Sequence, residues 1–158
     1  MKIHTRLAVA SLVTIAVLAV GGCGGDEGLS QQEFIAKADA ICLETDKKQA
    51  AVGGKDGPGI YGENFSDRAF LSRYNAVTRD ALKRLRALDA PEADRKAVDS
   101  LLSAIEGSVA AVDNRISALQ AKDQPRQSDA NVDFQRSYGD VVASSGALGL
   151  TRCQGLGN

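Results

Sequence analysis

A row of aliphatic residues with alternating spacings of four and three runs through positions 98–119, and no other feature constrains the fold as strongly. Such spacings place side chains on one side of an α-helix, because the helix turns once every 3.6 residues. The row predicts one long helix with a heptad-like seam. We interpret the seam as part of an intramolecular bundle core, with a dimer interface as the alternative. Its members are Val98, Leu102, Ile105, Val109, Val112, Ile116 and Leu119.

A second amphipathic helix is predicted at the start of the domain. Ser30 and Glu33 form a capping-box pattern, in which each side chain satisfies a free amide of the first turn. The helix should run to about Val52 and stop at the Gly53-Gly54 pair. Glu44 and Lys48 would form an i,i+4 ion pair on its outside. Its apolar side comprises Phe34, Ile35, Ala38, Ile41, Cys42 and Thr45.

Two further helices show the same periodicity. One should be capped by Asn64 or Ser66 and continue to Asp89, before the Pro91 corner. The other should follow a Pro-containing loop over 122–128 and begin at Ser128 or Asp129. Gly149 should cap it in a left-handed conformation, with 151–153 extended beyond. The apolar positions are Phe70, Tyr74, Val77, Ala81, Leu85 and Leu88 in the earlier helix, and Phe134, Tyr138, Val141, Ser145 and Leu148 in the later one.

These four stripes predict an all-α, up-and-down four-helix bundle over residues 30–158. No period-two alternation competes with them, and the Gly-rich stretch 53–64 is expected to be a connector rather than a ligand-gating loop. Gly107 lies inside the long helix at a cost of about 1 kcal/mol relative to Ala, which a close helix approach would explain.

The N-terminus has the pattern of a secretory signal peptide over residues 1–22. Lys2 and Arg6 precede fourteen uncharged residues, 7–20. That run is shorter than the roughly 20 residues that a membrane span requires, so cleavage is favoured over an uncleaved anchor.

The residues that end this run, Val20-Gly21-Gly22-Cys23, resemble the bacterial lipobox. The resemblance implies cleavage between Gly22 and Cys23 and a diacylglyceryl thioether on Cys23, often with a further amide-linked chain such as palmitate. Two or more chains hold a protein stably on a membrane. The protein would then be exported and anchored to the outer face of the cell membrane through a tether over 23–29. The alternative is an ordinary signal peptide with Cys23 as a free thiol.

Three cysteines are an odd number for an exported protein. If Cys23 carries lipid, Cys42 and Cys153 remain, and an oxidising compartment would allow them to form a disulfide. The alternative is two buried free thiols.

The domain also shows a family resemblance, carried by residues 34–42, 88–91 and 149–153. These stretches read FIAKADAIC, LDAP and GLTRC. They are similar to segments of small, uncharacterised helical lipoproteins of the actinobacterial type. The resemblance implies an all-helical fold and a paired Cys42 and Cys153, and it brings no activity with it.

The net charge and the histidine content limit the classes of function that the mature chain could have. Removing Lys2 and Arg6 from 19 basic residues leaves 17 against 20 acidic residues, a formal charge of −3, which argues against nucleic-acid binding. The only histidine, His4, leaves with the signal peptide, so His-dependent catalysis and His-ligated metal are excluded for the mature chain. No cofactor is predicted.

The sequence therefore favours a non-enzymatic binding or scaffold module whose partner is an envelope protein or a wall polymer. A regulatory partner of a membrane protein is the alternative, and a carboxylate-based envelope enzyme is less favoured. The basic residues of the second helix either contact anionic headgroups or wall polymers, or form a solvated face paired with Asp80 and other acidic neighbours. These are Arg73, Arg79, Lys83, Arg84 and Arg86.

Overall fold

The computed structural model describes residues 28–53 and 65–156. Four helices make up the domain: α1 (Gln31–Gly53), α2 (Arg68–Arg86), α3 (Arg95–Ala121) and α4 (Gln124–Ala147). Two short 3₁₀ turns, Glu92–Asp94 and Cys153–Gly155, precede α3 and follow α4. The described ranges contain no strand, and the predicted all-α four-helix fold is confirmed. Each helix in them is too short or too polar to cross a membrane.

The start of α1 follows the predicted capping box. The Ser30 backbone N–H and hydroxyl both donate to Glu33 Oε2, at 3.1 and 2.6 Å, and the Glu33 N–H donates to Ser30 Oγ at 3.3 Å. These bonds from Ser30 lower the pKa of Glu33. Two backbone amides at the start of α1 are therefore satisfied by side chains of its own sequence.

The prediction for the cap of α2 was wrong. Asp67, not Asn64 or Ser66, is the cap, and its Oδ1 accepts from the backbone N–H groups of Ala69 and Phe70 at 2.8 and 3.2 Å. Asp67 stands directly before the first helical residue, where a carboxylate also interacts favourably with the helix dipole. The helix ends at Arg86, three residues before the predicted limit.

The connection between α3 and α4 is much tighter than the predicted loop over 122–128. Lys122 takes a left-handed conformation with φ 56°, and Asp123 Oδ1 accepts from the Arg126 N–H at 3.1 Å. Helix α4 therefore begins at Gln124 rather than at Ser128 or Asp129. Pro125 lies in its first turn, where the missing N–H leaves no hydrogen bond unmade.

The end of α4 is partly as predicted. Gly149 has φ 73°, and the Leu150 N–H donates back to the Ser145 carbonyl at 2.9 Å. Residues 151–153 are not extended, however. Arg152 has helical backbone angles and leads into the 3₁₀ turn that holds Cys153.

Replacing two glycines near this end by alanine should change the stability in opposite directions, which tests the left-handed cap. Gly149→Ala should destabilise the protein by about 1 kcal/mol, because a Cβ disfavours the left-handed region. Gly146→Ala should stabilise it by about 0.5–1 kcal/mol, since the added Cβ meets nothing within 4 Å and alanine favours the helix. Urea unfolding of both variants measures the difference. Equal effects would contradict the left-handed cap.

The core has two apolar parts, one toward each end of the bundle. The larger part joins all four helices and the C-terminal residues, around Phe34, Ile41, Leu85, Leu101 and Leu150. The smaller part centres on Phe70, Leu71, Tyr74, Val112 and Phe134.

The long seam of α3 packs within the bundle. Its positions 98, 105 and 112 are buried, and its other four are half-buried. Five further residues of α3 are also buried, because the helix packs against α2 on one side and α4 on the other. The approach to α4 is close, since a Cβ placed on Gly107 would lie 2.7 Å from Ser137 Oγ. The additional buried residues are Leu101, Ala104, Ser108, Ala111 and Ala118.

Candidate functional site

The predicted lipidation and cleavage residues, Cys23 and Gly22, lie outside the described residues, as does the Gly-rich stretch 54–64. The sequence-predicted residues that the structure does place are the two other cysteines and the basic side chains of α2. These fall in separate parts of the bundle.

Cys42 on α1 and Cys153 in the last 3₁₀ turn are brought together across 111 residues. Their sulfur atoms are 1.99 Å apart and their Cα atoms 4.9 Å apart, at disulfide distance. Both side chains have no exposed surface. The chain thus places its two domain cysteines where a single bond closes the fold.

An acidic residue beside Cys42 secures the same segment. Asp39 accepts three hydrogen bonds, from the N–H and hydroxyl of Thr151 at 3.3 and 3.0 Å and from the Arg152 N–H at 2.9 Å. We call residues 150–156, packed on α1, the tail clasp. Leu150 and Leu156 insert into the core, at 0% and 1% exposure. The sequence signal that could have revealed Asp39 is its position three residues before Cys42, on the same side of α1.

A second carboxylate on this side of α1 lies against the clasp. Asp46 is half-buried. A Cβ added to Gly155 would lie 3.3 Å from Asp46 Oδ1. Burial raises the pKa of Asp46, and the charge of Arg152 partly opposes that rise. A side chain at position 155 would therefore press on the Asp46 carboxylate, which would have to shift by a few tenths of an ångström.

On the side of α2 that faces α1, Arg84 is paired with acidic residues. Glu44 of α1 accepts from Arg84 at 2.7 Å and contacts Lys48 at 2.8 Å, which confirms the predicted i,i+4 pair. Asp80 joins the group at 3.6 Å from Lys48 and 3.8 Å from Arg84. Hydrogen bonds from Arg84 and Lys48 lower the pKa of Glu44 to about 2. Arg84 therefore fits the predicted solvated face in which basic residues pair with Asp80 and other acidic neighbours.

On the other side of α2, an open groove of about 570 Å³ separates it from α3. Ion pairs cross the groove in two places, between Arg79 and Asp113 and between Arg86 and Glu106. Asp113 also accepts from the buried Asn75 amide at 2.9 Å, which fixes its position. The lining residues are Arg79, Leu82, Lys83, Arg86, Glu106, Val109, Ala110 and Asp113.

A smaller groove of about 410 Å³ runs between α3 and α4. Four serines line it together with Asp140, and none of its lining residues is a large apolar side chain. Asp140 is its only charged lining residue. The serines are Ser100, Ser103, Ser137 and Ser144.

A polar layer lies inside the bundle, between the two apolar parts of the core. Gln49 donates to Thr78 Oγ1 at 3.0 Å, linking α1 to α2, and Asn75 donates to the Val109 carbonyl at 3.1 Å, linking α2 to α3. Both amide side chains are buried. Sequence reasoning missed Gln49 because a polar residue is expected outside. Buried polar pairs of this kind fix the register of neighbouring helices at some cost in desolvation.

Several acidic side chains in the described ranges are held by hydrogen bonds or ion pairs. Glu33 caps α1, Glu44 and Asp80 pair with basic neighbours, and Asp133 pairs with Arg136 at 2.9 Å. Within those ranges, no group of three His, Cys, Asp or Glu side chains could hold a metal ion. What the geometry offers is an exposed, charged contact surface between α2 and α3.

Comparison with family models, with curated proteins and with solved structures found no match to this chain.

Proposed function

We propose that the chain is an exported lipoprotein, held on the outer face of the cell membrane by acyl chains on Cys23. Its bundle would act as a non-enzymatic binding or scaffold module in the cell envelope. The observation that supports this proposal is the placement of Cys42 and Cys153 at bonding distance in the core. Two of the three cysteines are thereby used within the domain. Cys23, which follows two small residues and a hydrophobic run, remains for lipid.

The pairing also fits the proposed compartment. A disulfide persists in oxidising environments and is rare where thiols are kept reduced. A cysteine pair with no exposed surface, closing a loop of more than a hundred residues, suits a small domain that must survive outside the cytoplasm.

The binding role rests on the shape and charge of the α2–α3 groove. It is open to solvent, has an apolar floor at Leu82 and Val109, and carries basic side chains along one edge. Such a surface suits contact with a partner better than enclosure of a reacting substrate, since ligand sites usually bury most of a small molecule.

Metabolic labelling with an alkyne-bearing palmitate analogue tests the anchor. The wild-type protein should incorporate the label and fractionate with membranes. Cys23→Ser should lose both properties, whereas Cys153→Ser, which removes a different cysteine, should keep them. Label retained in Cys23→Ser, or absent from the wild type, would overturn the proposal.

A further inference from the structure

The two ion pairs across the α2–α3 groove define the register between these antiparallel helices. Seven residues forward along α2, from Arg79 to Arg86, correspond to seven residues back along α3, from Asp113 to Glu106. Lys83 lies between the two arginines, so the same register sets it opposite Val109. Lys83 therefore faces the aliphatic Val109, whereas the arginine on each side of it faces an acidic residue of α3.

Lys83 has no compensating charge in the described part of the chain. Its side chain is exposed and makes neither an ion pair nor a hydrogen bond with a described residue. The neighbouring Arg79 and Arg86 are each neutralised by an acidic residue of α3. The groove thus carries one unmatched positive charge at its centre.

The floor beneath Lys83 is apolar. Leu82 of α2 is 7% exposed, and Val109 and Ala110 of α3 line the same stretch. The distance along α2 between the two ion pairs is about 10 Å, or roughly two helical turns. A ligand that fills this stretch must bring a negative charge to Lys83 and apolar groups to the floor beside it.

We propose that this groove docks an acidic, amphipathic helical segment of a partner protein. One carboxylate of that segment contacts Lys83, and its neighbouring apolar side chains rest on Leu82, Val109 and Ala110. A protein ridge can cover an open groove along its whole length, whereas a small molecule would stay largely exposed there. The unmatched charge favours acidic segments and disfavours neutral or basic partners.

This proposal specifies the partner class of the binding module proposed above, but it does not depend on lipid at Cys23. A failure of palmitate labelling would remove the anchor and leave the groove untouched. A failure of the following experiment would remove the acidic partner and leave the anchor untouched.

The test is site-specific photocrosslinking of the full chain in the membranes of the cells that produce it. A p-benzoylphenylalanine in place of Ala110 reports on the groove, and one in place of Ser103, in the α3–α4 groove, serves as the control position. We expect a crosslink from position 110 to a protein segment in which mass spectrometry finds Asp or Glu within one turn of apolar residues.

Charge reversal makes the test specific. Lys83→Glu should lower the crosslink yield from position 110 at least fivefold, while the matched control Lys47→Glu, an exposed lysine on α1, should leave it unchanged. Replacing the mapped acidic residue of the partner by lysine should restore the yield with Lys83→Glu. Thermal melting of both variants verifies that they fold.

Four results would overturn the proposal. They are a crosslink to lipid, to a wall polymer or to a second copy of this chain; a mapped segment without an acidic residue; a yield no greater than that of the control position; and a yield that is unaffected by Lys83→Glu.

Discussion

The double variant Cys42→Ala/Cys153→Ala is expected to lose about 4–5 kcal/mol of unfolding free energy. The disulfide closes a loop across 111 residues, and chain-entropy arguments give a cross-link of that length a stabilisation of this size. For a domain of this length, the melting temperature should fall by roughly 15 °C. Urea unfolding of the oxidised wild type and of the double variant measures the difference.

The wild type provides its own control for this prediction. Both cysteines are fully buried, so a reductant should act slowly on the folded protein and rapidly once it is unfolded. Wild-type protein that is reduced in denaturant and refolded with thiol present should melt close to the double variant. A double variant that loses less than about 1 kcal/mol would show that the cross-link does not stabilise the fold.

Phe34→Ala should destabilise the protein by about 3–5 kcal/mol, which is the usual cost of removing a buried aromatic ring. Phe34 is 2% exposed and lies in the larger part of the core, in the first turn of α1. Truncating it leaves a cavity next to residues of the other helices, which close packing prevents from collapsing fully.

Leu43→Ala is the matched control on the same helix. Leu43 is 37% exposed, so its truncation should cost less than about 1 kcal/mol. Chemical unfolding of the two variants under the same conditions separates the effect of lost burial on stability from the effect of the helix propensity of alanine. Similar losses of unfolding free energy would contradict the placement of Phe34 in the core and of Leu43 at the surface.

The helices could be predicted because each carries an apolar stripe at the helical period, and that pattern depends only on the local sequence. Capping was readable where it depends on neighbours in the chain, as at Ser30 and Glu33. The predicted cap of α2 is wrong because several acceptors compete there, namely Asn64, Ser66 and Asp67. Pro125 lies within the predicted loop over 122–128, yet a proline in the first turn of a helix leaves no hydrogen bond unmade.

Features that depend on two helices at once could not be predicted from one stretch of sequence. The burial of Gln49 requires Thr78 from α2, and the role of Asp39 requires backbone amides more than a hundred residues away. The basic character of α2 was visible, but which of its residues are neutralised depends on the register with α1 and α3. For the same reason, the isolation of Lys83 opposite Val109 appears only in the assembled bundle.

The tail clasp has a consequence for the order of events during synthesis. The side of α1 around Asp39 and Cys42 is covered by residues that are made more than a hundred positions later. A chain that emerges N-terminus first therefore holds an incomplete core until residues 150–156 have been added. The core of the bundle is complete only when almost all of the polypeptide has been made, so the last residues of the domain decide when the fold can form.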